Sequence, residues 1–162
     1  MDDEETFTAY HEAGHAVIAY ALGATIESVQ LGGEADEWLP DRFGECRINW
    51  GRVDTRSNWQ RQREILSVLA GPVAEMIYNG EPYHPGFVPE WANDWKEAWE
   101  VAEFLIPDER QRLAYLERTT SDLYQVLYRD DQWAALAAIV DNLVAHERLD
   151  GEEVQDILSA WL

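Results

Sequence analysis

Along most of the chain apolar residues recur three and four positions apart, the period of a helix, and they alternate with polar ones only briefly. The first run, Thr6 to Leu22, sets Phe7, Ile18 and Leu22 on one stripe and stops at Gly23. Thr25–Leu31 and Phe43–Trp50 read as two short strands, separated by a loop containing Gly32-Gly33, Pro40 and several acids. A helix is expected from Asn58 to Tyr78, with Ile65, Leu69, Val73 and Met76 on one face and Asn79-Gly80 as its stop. Pro72 should kink it, because its ring nitrogen has no hydrogen to give the carbonyl of Val68. The proline-rich stretch Glu81 to Pro89 reads as a loop. Three more helices are expected: Glu90–Ile106, a helix capped by Asp108 and running to about Arg129, and one from Asp131 to about His146. A last one opens at Asp150, whose spacing to Glu153 is that of a capping box. The expected fold is mainly α with minor β. It has about six helices and a two-stranded ribbon in one domain, with residues 1–5 an acidic stretch inclined to disorder.

Composition bounds what such a domain does. Its 162 residues, 46% apolar and 27% charged, suffice for one hydrophobic core. The single cysteine, Cys46, excludes an internal disulfide framework or a cysteine-rich metal site and fits a reducing cytoplasm. Met1-Asp2-Asp3-Glu4-Glu5 does not resemble a signal peptide, and the longest apolar run, Ala16–Leu22, is far too short to cross a bilayer. A soluble, cytoplasmic protein is expected. The formal charge of −20 repels nucleic acid and anionic membranes and favours cationic or neutral partners.

Chemistry enters at His11-Glu12-Ala13-Gly14-His15, a His-Glu-x-x-His sequence on the first helix. Residues four apart stand about 40° apart around a helix, so the two imidazoles converge. Zinc takes such a pair at about 2.0–2.1 Å and, in catalytic sites, a third protein ligand and a water. Glu12 falls in the same sector, placed to take a proton from that water. The motif alone is common, and its bland reading is a polar face of a surface helix. His11 and His15 fall on the apolar stripe instead, where unpaired imidazoles would cost several kcal/mol. Gly14, unfavourable in a helix by about 1 kcal/mol, makes sense where another backbone packs closely.

The third ligand is less obvious. Ala21 stands where the extended metzincin motif needs a histidine. Glu34 and Glu37 sit in an apparent loop, and His84 lies in the proline-rich one. Asp94 aligns with Ala98, Val101 and Leu105, and a carboxylate on an apolar stripe calls for a cationic partner. On the same helix Trp91, Trp95 and Trp99 follow at intervals of four. Core packing is the preferred reading for Trp95 and Trp99, whereas Trp91, one turn from Asp94, is set apart as a wall beside the metal.

Four blocks in order resemble the peptidase domain of FtsH, the membrane-anchored AAA+ zinc protease. They are Thr8–Val17 around the motif, Leu69-Ala70-Gly71-Pro72-Val73-Ala74-Glu75, Asn93-Asp94 followed by Ala98, and, more weakly, Leu149–Val154. The resemblance implies one zinc ion held by His11, His15 and Asp94, with Glu12 as the catalytic base. It also implies a metalloendopeptidase acting on peptides or unfolded protein. Glu75 matches a family glutamate and is either an acceptor for a ligand histidine or a surface acid. Pro72 stands where the family is usually basic, and the stretch between the first two blocks diverges. No ATPase module or transmembrane segment accompanies the domain, so ATP-independent cleavage is expected. A separate ATPase and self-association stay open as partners. The rival expectation is a silent, zinc-stabilised binding module of the same fold.

Overall fold

The computed structural model describes residues 3–32, 44–80 and 84–162. Six helices dominate: α1 (Asp3–Ala21), α2 (Asn58–Asn79), α3 (Ala92–Glu103), α4 (Glu109–Leu127), α5 (Asp130–His146) and α6 (Gly151–Trp161). Three strands, β1 (Thr25–Leu31), β2 (Gly44–Asn49) and β3 (Arg148–Asp150), form one antiparallel sheet in the order β2-β1-β3. Mainly helical with a small sheet, the fold is the class the periodicity predicts.

Several boundaries follow from local chemistry. Ser57 caps α2 by accepting the amide of Gln60 at 3.1 Å, and Gly80, in the left-handed region at φ 80°, ends it. Asp108 caps α4 through the amide of Gln111 at 2.9 Å. Asp150 and Glu153 close the expected capping box on α6. α2 runs through Gly71-Pro72 without ending there. The helix expected from Glu90 begins only at Ala92, because Pro85–Phe87 and Pro89–Trp91 wind as two 3₁₀ turns before it. Asp3–Glu5, assigned to an acidic N-terminal stretch, belong to α1.

The ribbon has a third strand that the sequence does not announce. Arg148–Asp150 pairs with Ser28–Gln30, with Leu149 buried between two exposed residues. Three residues are too few to display an alternating pattern, so the segment reads only as the approach to a helix cap. Its presence puts β1 in the middle of the sheet. β1 is therefore no edge for a peptide to join, and β2 is paired on one side only among the described residues. A register shift between Ile26 and Ser28 brings Ser28 and Val29 to burial in succession.

The helix that carries the motif is the hub. α1 packs against α2, α5, β1 and β2, and every residue from Glu12 to Ala19 is buried. This is more than the one apolar stripe expected, and it explains the alanines: Ala9, Ala13, Ala16 and Ala19 are fully inaccessible. Small side chains let neighbours close in from all sides. Tyr10 adds a lateral clamp, stacked on Tyr78 at 4.0 Å and on Trp133 at 5.4 Å.

Gly14 marks the tightest approach. A Cβ there would stand 2.5 Å from the carbonyl oxygen of Ala70 and 2.8 Å from Cβ of Ala74. Alanine improves helix propensity by about 1 kcal/mol, but here it must push apart two helices at a backbone contact. Gly14→Ala is expected to destabilise the protein by about 1–3 kcal/mol in chemical denaturation, the clash outweighing the propensity gain. A variant more stable than wild type would contradict the close packing.

Candidate metal centre

α1 and α2 hold two imidazoles from behind. His15 Nδ1 lies 2.7 Å from the carbonyl oxygen of Ser67. A carbonyl only accepts, so Nδ1 carries the hydrogen and a neutral His15 presents the Nε2 lone pair. His11 Nδ1 lies 2.7 Å from Glu75 Oε2, an arrangement that likewise turns Nε2 outward. The ring centres are 4.7 Å apart at an interplanar angle of 81°. Convergence is thus fixed by hydrogen bonds to α2 as well as by the spacing of four.

α3 brings the opposing group. Asp94 Oδ2 lies 2.6 Å from His11 Nε2 and 3.4 Å from His15 Nε2, so one carboxylate oxygen faces both rings. Side-chain donors of His11, Glu12 and His15 lie within 4.8 Å of one another, and Glu12 itself is buried. The structure therefore brings together all four residues singled out in the sequence. Of the other candidates, His84 stands elsewhere, with Nε2 3.7 Å from Glu117 and its ring edge-on to Trp95 at 4.6 Å. Glu34 and Glu37 lie outside the described residues.

Charge accumulates strongly here. Burial works against a protonated His11, but hydrogen bonds to Asp94 and Glu75 and the neighbouring negative charges outweigh it, and its pKa is pushed up to about 10. His15 is raised in the same way, with burial opposed chiefly by Asp94. Burial pushes Asp94 up, yet His15 and His11 hold its carboxyl well below the usual range. Glu12 moves upward, driven by burial and only partly countered by the two histidines. On β2 the Cys46 thiol is pushed well above its usual value by burial and by Glu12 and Glu45.

Two supporting residues are more than the sequence could assign. Glu75 is buried and accepts the indole N–H of Trp91 at 2.6 Å on the same oxygen that meets His11. The acceptor reading of Glu75 is the correct one, and Trp91 braces it instead of standing as an open wall. Trp95 and Trp99 are half-buried against the core, as expected, with Arg112 stacked over Trp99 at 4.5 Å.

Gly71 tests whether these residues fit a metal. A Cβ at this position would lie 2.5 Å from His15 Nε2 and 2.9 Å from His11 Nε2. The only side chain that leaves the space between the two nitrogens clear is a hydrogen atom. Two Nε2 atoms that face one gap, with a carboxylate opposite, are nitrogen and oxygen donors of the kinds that zinc accepts once the imidazoles are deprotonated. No family model matches the chain, and no curated protein sequence matches it.

Two substitutions read out this geometry. Gly71→Ala should leave far-ultraviolet circular dichroism intact, because alanine favours the helix, while lowering zinc affinity at least tenfold in a competitive chelator titration. Wild-type affinity in that variant would mean that the gap holds nothing. Trp91→Phe keeps the ring but not the N–H, and zinc affinity is expected to fall about tenfold through looser Glu75 and His11. Unchanged affinity would reduce the Trp91 contact to packing.

Proposed function

We propose that this chain is a zinc-dependent endopeptidase domain of the FtsH type, cleaving peptides or unfolded protein segments. The reading is carried by one observation: a buried carboxylate, Glu12, beside two imidazoles whose Nε2 atoms face a common gap. A structural site has no use for Glu12. Further support comes from convergence, since the blocks around His11, Gly71 and Asp94 are far apart in sequence and meet at this one place.

His11, His15 and Asp94 would hold the metal, with Glu75 and the Ser67 carbonyl keeping the imidazoles oriented. Zinc, when bound, lowers the pKa of a coordinated water and polarises a carbonyl oxygen. The remaining work belongs to Glu12. Its carboxylate accepts the proton of the attacking water and passes it to the amine that leaves as the peptide bond breaks. Burial raises its affinity for that proton, the direction that a general base needs.

Strand β2 is the natural platform for an extended substrate. A Cβ at Gly44 would lie 2.6 Å from Thr8 Cγ2 and 2.8 Å from Glu12 Cγ, so the start of the strand passes directly over the catalytic helix. A peptide pairing with β2 is held by backbone hydrogen bonds, which tolerate many side chains. A cytoplasmic setting belongs to this reading, and no described helix is long and apolar enough to cross a membrane.

Glu12→Gln decides between cleavage and a silent binding role. The variant should retain one zinc per chain and fold normally, while cleavage of an unfolded protein falls by about 10²–10⁴-fold. Chelation of the wild type should abolish cleavage, and added zinc should restore it. If wild type and variant both bind zinc and are equally inert across a broad substrate panel, the peptidase reading is lost to the binding module.

A further inference from the structure

The distribution of basic residues is sharply uneven. Between Arg47 and Arg63 lie five of the twelve basic residues, Arg47, Arg52, Arg56, Arg61 and Arg63, against one acid, Asp54. That segment carries a formal +4, so the rest of the chain carries −24 within the total of −20. The run leads out of β2, through the connection 50–57, into the first turns of α2.

The arginines there are arranged around aromatic rings. The Arg63 guanidinium lies 4.9 Å from the Trp50 ring centre and 5.7 Å from that of Trp59, and Nη1 donates to the Leu22 carbonyl at 3.1 Å. It is an anchored spacer between two indoles. Arg61 stacks on Phe104 at 4.3 Å. Arg52 and Arg56 are exposed and, among the described residues, form no salt bridge. Trp59 is 58% exposed, a large apolar surface three positions along the chain from Arg56.

We propose that Trp50, Arg52, Arg56, Trp59 and Arg61 form a docking patch for an acidic segment of the substrate polypeptide. Calling that partner a substrate rests on the peptidase reading above; the charge preference of the patch does not. The patch continues the proposed platform: a peptide laid along β2 from Gly44 reaches Trp50 after about 20 Å, at roughly 3.3 Å per residue. An acidic stretch six or so residues from the scissile bond would meet the arginines there. Arg47 is paired with Glu45, so the open positive charge is that of Arg52, Arg56 and Arg61. With charges screened beyond about 8 Å at physiological ionic strength, a chain touching this surface senses these arginines more than the distant acids. Carboxylates match exposed guanidinium groups, and aromatic or apolar neighbours in the segment have Trp59 to cover.

The test uses the full chain as Glu12→Gln, so that binding is measured without cleavage. Fluorescence anisotropy compares labelled peptides of one scaffold whose flank holds four acidic, four neutral or four basic residues, placed on either side of the centre. The acidic flank should bind at least tenfold tighter than the basic one, with affinity falling as salt rises. Adding Arg52→Glu and Arg56→Glu together should cost the acidic peptide about tenfold and spare the neutral one. Trp59→Ala offers a second, charge-neutral probe and should weaken the acidic peptide several-fold. Equal affinity for all flanks, or no response to the arginine reversals, overturns the proposal. Tighter binding of a single-stranded oligouridylate than of the acidic peptide also overturns it, in favour of nucleic acid. Acidic binding by a chain whose wild type cleaves nothing would retain the patch and remove the peptidase, and cleavage with no charge preference would do the reverse.

Discussion

Because the carbonyl oxygen of Ala70 occupies the space where a Cβ on Gly14 would stand, α1 and α2 pack almost backbone to backbone. The site descends from that contact. At this separation the Ser67 carbonyl and the Glu75 carboxylate of α2 reach the Nδ1 atoms of His15 and His11, each at 2.7 Å. Gly71 falls directly beneath the two Nε2 atoms. Three positions on α2 therefore set the orientation of two side chains on α1 and the space in front of them. Moving the helices apart by a methyl group would loosen both hydrogen bonds together. The tight seam positions the imidazoles much as a stack of supporting side chains would, but with little rotamer freedom left to lose.

A second constraint is electrostatic. Glu12, Glu75 and Asp94 surround two imidazoles in a largely buried setting, and carboxylates in such places need cations. The fold supplies part of the compensation through the indole N–H of Trp91 on Glu75. The rest must come from the centre itself, as protons on the histidines or as a metal ion. Glu75 and Asp94 bracket His11 from opposite ends, which makes that ring the more tightly held of the two. His15, held by a neutral carbonyl, is the more adaptable one.

What was readable from the sequence follows the range of each interaction. His11 and His15 were legible because helical spacing alone converges them, and Asp94 because an acid on an apolar stripe is anomalous at the level of one helix. Gly14 could be read as a close approach, though not what approached it. Glu75 was ambiguous because an acid on a helix gives no local sign of facing inward. The Trp91–Glu75 bond joins a 3₁₀ turn to the middle of another helix, and no periodicity encodes it. β3 escaped for a different reason. Its three residues owe their extended form to pairing with β1 across more than a hundred positions of sequence, a purely tertiary cause. That same strand makes β1 the middle of the sheet and leaves β2 and β3 as its outer strands among the described residues, an arrangement that the sequence does not show.

The large negative charge carries two different consequences at two distances. Far from the surface the −20 dominates and repels polyanions in general, which slows encounter with nucleic acid and with anionic membranes. Within a Debye length the local arrangement decides, and the edge of β2 that is unpaired among the described residues runs from an acidic centre at Gly44 and Glu12 to an arginine-rich end beyond Asn49. A strand edge by itself tolerates two orientations and many registers of an added peptide, because backbone hydrogen bonds repeat along it. Opposite charges at its two ends remove that degeneracy. In the proposed docking, a segment whose acidic end lies on the arginines would keep its other end over Glu12, whereas the reversed segment would place carboxylates against carboxylates. Under the proposed docking, charge separation along one short strand sets direction, a task that neither the proposed metal ligands nor the backbone pairing can perform.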